Sequence, residues 1–177
     1  MISYTLLEFD TLTSTSDFLK ENYSYFPHMT FIKASYQSQG RGQYDRTWDS
    51  NPKENLLFSI LLKDIGVSKA YEIKLWIMET LVQHIQNHGI NVYFKEPNDL
   101  YVGDQKICGI LIETKSSENI FDYVVIGIGL NINQTEFENF SATSIKNELH
   151  KSIDIKKHFN QLLSLLISQY EKYIKLK

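Results

Sequence analysis

Three short segments of this chain gather residue types suited to holding an anion and working on it. The stretch YQSQGRGQYDRTW, at 36–48, places Gly40, Gly42, Arg41, Arg46 and Trp48 together with neither helical nor strand periodicity. Glycine lets backbone N–H groups turn toward a phosphate, a guanidinium forks two oxygens, and an indole face can stack on a base. The competing reading is a solvated basic loop with Trp48 in the core. The second segment, KEPNDLYVGDQKICGILIE at 95–113, sets Lys95, Asn98 and Asp99 around a proline turn and Lys106 at the entry of an apolar strand. A lysine pointing from there into a cleft can bridge a carboxylate and a phosphate, easing the repulsion between two anions that must react. A surface lysine and an ordinary Asn-Asp turn are the alternatives. In the third, VVIGIGLNIN at 124–133, Gly127 and Gly129 interrupt an apolar run that ends at Asn131 and Asn133. A dinucleotide fingerprint needs a third glycine and a following helix, so these glycines imply instead a close approach by a ligand, or a bulge.

Other constellations are poorer. His84 and His88 are four residues apart on a helical pattern, with no glutamate after the first and no third ligand close in sequence. That reads as a polar helix face rather than a metal site. Cys108 is the single cysteine, which excludes an internal disulfide and a cysteine-based zinc cluster, and within ICGILIE it reads as a buried core thiol. Neither a nucleophile elbow nor a P-loop occurs.

The elements that must carry these segments can be read from periodicity. Strands are predicted at 3–8 and 29–35, with a helix over 15–22 capped by Thr13 or Ser14. The polar stretch 36–54 is too long for a tight connection and reads as a functional loop. NLLFSILLK at 55–63 is apolar throughout most of its length and predicts a central strand covered on both faces. From Lys69 to His88 the residues Ile73, Trp76, Ile77, Leu81 and Ile85 recur at helical spacing, with Ser68 as cap and Gly89 after the end. Strands follow at 91–95, 100–103, 106–114 and 121–132, close enough in sequence to pair as antiparallel hairpins. After a polar stretch at 133–152, Phe159, Leu162, Leu163, Leu166, Tyr170, Tyr173 and Ile174 outline an amphipathic helix. The predicted class is α+β, a mixed and mostly antiparallel sheet with helices packed on one face.

Composition agrees with an ordered globular domain: 177 residues, 42% hydrophobic, 13% aromatic, with 3 Pro and 8 Gly. A formal charge of -3 gives no global basic excess that would draw the chain to nucleic acid or an anionic membrane, so any phosphate chemistry rests on a local patch. No signal-peptide pattern and no bilayer-length apolar run is present, and a cytoplasmic protein is expected.

Taken in order, TSTSDFLK, ASYQSQGRGQYDRTW, NLLFSILL, KEPNDLYVGDQKICGILIE and GIGLNIN resemble the biotin protein ligases over residues 5–133. The resemblance implies a fold related to lipoate ligases and to the class II aminoacyl-tRNA synthetase core. It implies ATP-dependent transfer of biotin, through an enzyme-bound biotinyl-5'-AMP, to a lysine of a biotin carboxyl carrier protein, with Mg²⁺ accompanying ATP. By resemblance, Ser14, Thr15, Gln37, Gly40, Arg41, Gly42, Gly109 and Ile110 surround biotin, and Lys106 contacts both the biotin carboxylate and the α-phosphate. Arg41, Arg46, Trp48, Lys95, Asn98, Asp99 and Asn131 match nucleotide-binding positions. Trp48 lies by the adenine there, and Asn131 reads the adenine edge. Lys106, Arg46 and Asp99 would carry catalysis, Asp99 also standing near the metal and the acceptor lysine. Two positions depart from the pattern: Glu96 stands where the family usually has tryptophan and Gln43 where it commonly has a basic residue, so nucleotide affinity and retention of the adenylate are expected to differ. A single catalytic domain over 1–177 is expected, without an N-terminal DNA-binding domain or a C-terminal β-barrel, hence no DNA partner and no membrane. A homodimer through a sheet edge has precedent in the family. The alternatives are a lipoate or octanoate ligase on the same fold, or a non-catalytic protein that binds biotin or its adenylate.

Overall fold

The computed structural model describes residues 2–138 and 141–175. Its first unit is β1 (Thr5–Leu12), α1 (Thr15–Asn22) and β2 (Thr30–Gln37), with β1 and β2 parallel. A parallel pair cannot be closed by a tight turn, and here α1 supplies most of the crossover. Ser14 caps α1 by accepting a hydrogen bond from the Asp17 amide. β3 (Leu56–Leu62) then returns antiparallel to β2 and is buried at every position, as its unbroken apolar sequence predicts.

β4 (Ile65–Gly66) makes a short pairing with the start of β8 and leads through a 3-10 turn, Val67–Lys69, into α2 (Ala70–Gln86). Ser68 lies within that turn and does not cap the helix, contrary to the sequence reading: Lys69 holds the N-cap position, with no side-chain hydrogen bond. Four strands follow, β5 (Tyr93–Lys95), β6 (Asp99–Val102), β7 (Gln105–Ser117) and β8 (Ile120–Leu130), each antiparallel to its neighbour in sequence. The tight turn between β6 and β7 uses Gly103 at φ +54, a conformation that costs glycine nothing. The polar stretch after β8 holds a short helix that periodicity did not reveal, α3 (Ile145–Leu149), capped by Ser144. α4 (Ile155–Tyr170) is capped by Asp154 and runs into a π-helical turn, Glu171–Lys175.

The sheet runs β1-β2-β3-β8-β7-β6-β5. Its central contact, β3 with β8, joins Leu57 to Gly129 and Ser59 to Gly127 across a long sequence separation. α2 and α4 cover one face, where Trp76, Phe58, Ile126 and Phe159 form the main core. Trp76 donates from Nε1 to the Leu166 carbonyl at 3.0 Å and meets Tyr170 edge-on, tying the two helices together. The expectation of helices on one face thus holds for the long pair. α1 lies on the other face, where Leu19 packs with Ile32, Leu61 and Val125. Because strand side chains alternate, Gly127 and Gly129 fall on that second face, which is left open beside α1.

Candidate active site

On the open face a cavity of about 500 Å³ runs from the start of α1 to the β5–β6 turn. Its inner end is polar but buried. The Gln37 Oε1, at the end of β2, accepts from the Thr15 amide at 2.7 Å and the Thr15 hydroxyl at 2.9 Å. Ser59, fully buried on β3, shares hydrogen bonds with Thr15 Oγ1 at 2.7 Å and Ser16 Oγ at 2.9 Å. No described residue accepts from the Gln37 amide nitrogen, so that group is available to a ligand carbonyl. Ser16 and Ser59 were not recognised in the sequence. Their signal was a serine inside the apolar run of β3, where an unpaired hydroxyl is costly and a polar partner is required.

At the outer end the cavity is cationic. Lys95, Lys106, Arg41 and Arg46 contribute to its wall, with Asp99 and Asp104. Lys106 Nζ lies 2.8 Å from Asp99 Oδ1 and 5.3 Å from the centre of the Trp48 ring. Lys95 stands over Tyr101 at 4.4 Å, and Arg46 makes no ion pair among the described residues. Asn98 is engaged internally: its Nδ2 donates to the Ile110 carbonyl at 2.5 Å while its own carbonyl accepts from the Ile110 amide, fixing the β5–β6 turn against β7.

The loop between β2 and β3 is more ordered than its sequence suggests. Gly42 donates to the Arg46 carbonyl, Trp48 to the Gly40 carbonyl, and Arg41 faces Thr47 across an antiparallel bridge, making a small hairpin over the cavity. Tyr44 and Asp45 at its tip both adopt left-handed backbone, a conformation non-glycine residues hold at a cost of about 1–3 kcal/mol each. Arg41 anchors the hairpin by bonding Asp17 at 2.6 Å and both oxygens of Glu113, at 3.0 and 3.1 Å. Lys20 bonds the same two acids. Partial burial opposes the charge on Lys20 and on Arg41, but the hydrogen bonds to Glu113 and Asp17 outweigh it and hold both pKa values above their usual levels.

The strand glycines answer to this hairpin. A methyl at Gly129 would sit 2.4 Å from Trp48 Cε2, one at Gly109 2.8 Å from Trp48 Cζ3, and one at Gly127 2.4 Å from Ser16 Oγ. The close approach read from sequence is therefore made by the chain's own side chains, and the strand pairing at 127 and 129 is regular, without a bulge. Trp48 packs into the groove cleared by Gly109 and Gly129, and its buried Nε1 has no partner among the described residues.

Of the residues singled out in the sequence, Ser14, Thr15, Gln37, Arg41, Gly42, Arg46, Trp48, Lys95, Asn98, Asp99, Lys106, Gly109 and Ile110 share the wall of this one cavity. Two do not. Gly40 is buried behind the hairpin, where a Cβ would strike the Trp48 carbonyl oxygen at 2.3 Å. Asn131 lies just past the end of β8, its Nδ2 donating to the Thr143 carbonyl and its buried Oδ1 without a partner among the described residues. Gln43 lines the cavity, whereas Glu96 points outward, exposed, and pairs with Lys74 on α2 at 3.0 Å. Cys108 is buried, and burial raises the thiol pKa far above its usual value, so it is no nucleophile. The histidine reading needs correction: His84 is buried rather than on a polar face, and α4 brings His158 against it and His88.

Fold and cavity define an α+β small-molecule site, polar at its inner end, cationic at its mouth and covered by a glycine-bearing hairpin. The chain belongs to the biotin/lipoate A/B protein ligase family, whose model matches residues 6–131. It is 31% identical over 156 residues to the bifunctional ligase/repressor BirA of Bacillus subtilis, covering 84% of this chain and 48% of the relative. The chain thus spans about half the length of the curated relatives it matches. The biotin protein ligase of Aquifex aeolicus, solved with biotin and ATP, superposes with a TM-score of 0.78 at 27% identity, covering 98% of this chain and 73% of that one. The Leishmania major biotin protein ligase, solved with biotinyl-5-AMP, shares the fold with a TM-score of 0.81 at 23% identity, covering 98% and 77%.

Proposed function

We propose that this chain activates biotin with ATP and transfers it to a lysine of a biotin carboxyl carrier protein, in the cytoplasm where both substrates meet. The observation that carries the reading is the polarity of the cavity from end to end. A ureido ring offers two N–H donors and one carbonyl, which match the Thr15 and Ser16 hydroxyls and the free Gln37 amide. A dithiolane or a plain alkyl chain would offer no partner to the half-buried Gln37 amide, at about 1–3 kcal/mol. The acyl chain then leads toward Lys106, and the nucleotide phosphates toward Arg46 and Lys95.

In the first step a carboxylate oxygen of biotin bonds to the α-phosphorus while the bond to the β-phosphate oxygen breaks and pyrophosphate leaves. Lys106 lies between the two anions and lowers their repulsion, and Arg46 holds the phosphates in line. Asp99 keeps the Lys106 ammonium aimed into the cavity through their ion pair. Asp99 and Asp104 are the wall carboxylates suited to a magnesium ion, which takes few protein ligands and mostly phosphate oxygens and water. When bound, that ion neutralises charge on the leaving pyrophosphate. In the second step the carrier's lysine amine attacks the acyl carbon, AMP departs with the bonding pair, and the surplus proton passes to Asp99. The hairpin excludes water from the mixed anhydride in between.

Incubation with ATP, Mg²⁺, biotin and a carboxyl carrier domain, followed by mass spectrometry of the carrier, tests this directly. One biotinyl group on one lysine is expected. A lipoyl or octanoyl group taken in preference overturns the substrate, and an unmodified carrier despite biotin binding identifies a binding protein instead.

A further inference from the structure

On the face of the sheet opposite the cavity, three imidazoles converge where α2 ends and α4 begins. His84 and His88 are one turn apart, and His158 comes from the first turn of α4. One ring nitrogen from each lies within 4.8 Å of the others. We propose that His84, His88 and His158 form a binding site for a divalent transition-metal ion of the zinc class, clamping α2 to α4.

The geometry is close to what such an ion needs. Tetrahedral zinc with bonds of about 2.0–2.1 Å sets its nitrogen ligands about 3.3–3.4 Å apart. His84 Nε2 and His158 Nε2 are 2.8 Å apart, so an ion entering between them requires the two rings to part by about half an ångström. The His88 and His158 rings are stacked at 4.7 Å, which brings the third donor alongside. His84 and His158 are buried, and His88 is half-buried, leaving a path for the ion and a position for a water ligand. Three imidazoles without a carboxylate or thiolate select zinc, nickel, cobalt or copper over magnesium and calcium.

The cluster is also incompletely satisfied as it stands. The two buried rings hydrogen-bond only to each other through Nε2, and His158 Nδ1 is buried with no partner among the described residues. Burial, reinforced by the neighbouring histidines, keeps His84 and His158 neutral, with pKa values lowered to about 3 and about 4. Protons therefore do not compete for the lone pairs at neutral pH. Burial lowers His88 as well, helped by the positive charge of Lys151.

The test uses untagged protein stripped with a chelator, then titrated with Zn²⁺ alone in competition with a chromophoric chelator, and melted with and without the ion. One Zn²⁺ per chain with an affinity in the micromolar range or tighter is expected, with a raised melting temperature, no response to Mg²⁺, and four-coordinate absorption bands when Co²⁺ replaces zinc. His88→Gln, at a half-buried position that tolerates polarity, should weaken binding by about tenfold or more while the apo melting temperature holds; His158→Gln should weaken it further. Zn²⁺ affinity no tighter than millimolar for the folded chain, or binding that both variants leave unchanged, would overturn the site and leave a hydrogen-bonded histidine pair. The outcome is independent of the ligase reading, since neither helix face borders the cavity.

Discussion

In the proposed reaction Lys106 carries the charge neutralisation, and among the described residues it sits beside both the Trp48 ring and the Asp99 carboxylate at the cationic end. Lys106→Ala is expected to slow biotin-dependent ATP–pyrophosphate exchange by about 100-fold or more, with an unchanged far-UV spectrum. Exchange at the parent rate would remove the lysine from the mechanism. Glu96 leads to the opposite expectation. From sequence, Glu96 beside Lys95 was expected to alter nucleotide affinity; its carboxylate instead turns outward to Lys74, in an exposed pair of the kind that contributes little. Glu96→Gln should therefore leave the KM for ATP within about twofold of the parent value. A larger drop would show that the charge is felt in the cavity after all. The contrast marks what single residues disclose: sequence gives the type and the neighbour in chain, but the direction of a side chain depends on which partner lies across the fold. Arg41 makes the same point, since its partners Asp17 and Glu113 come from α1 and β7.

At the scale of elements, most of what carries the site was legible because each strand or helix announces itself through local periodicity. The buried β3, the β6–β7 turn and the amphipathic α4 all follow that logic. What periodicity could not supply is pairing between distant segments. The β3–β8 ladder joins the halves of the sheet, and only there do Ser59 and Gly127 become neighbours of Ser16. α3 was missed because five residues make barely one turn, too short for a repeat to register. The glycines of β8 were noticed, yet their partner was not, since the hairpin that delivers Trp48 has no strand pattern. Gly129→Ala tests that packing. Its methyl would overlap the Trp48 ring, so the ring must leave the groove, with a loss of stability of about 1–3 kcal/mol and a change in tryptophan emission that the buried Trp76 would not report. Adenylate affinity should fall with it. Unaltered emission and melting would mean that the groove accommodates a methyl and that Trp48 is not what the glycine serves.

For the whole molecule, the two faces of the sheet divide the work: one holds a wet, charged cavity under a hairpin, the other a dry core under two helices. The polar groups buried in that core set its response to acid. His84 and His158 have folded pKa values of about 3 and about 4, while an unfolded histidine titrates near its ordinary value of about 6.5. As pH falls below that value the unfolded chain takes up protons that the folded chain refuses, so stability rises with pH in this window and is lost on acidification. Each histidine that charges only on unfolding contributes about 1.4 kcal/mol of loss per pH unit between the two pKa values. Among the described residues, His88 acts on both rings, His158 acts also on His84, and Lys151 acts on His88; each disfavours an added proton, so none offsets the loss. In chelator-treated protein the urea midpoint is expected to be steady above pH of about 7 and to fall steeply toward pH about 5. The double substitution His84→Gln with His158→Gln should lower the midpoint at neutral pH, because a matched pair is lost, yet flatten the slope below it. Equal slopes for the parent and the double variant would show that the acid sensitivity does not come from this histidine pair.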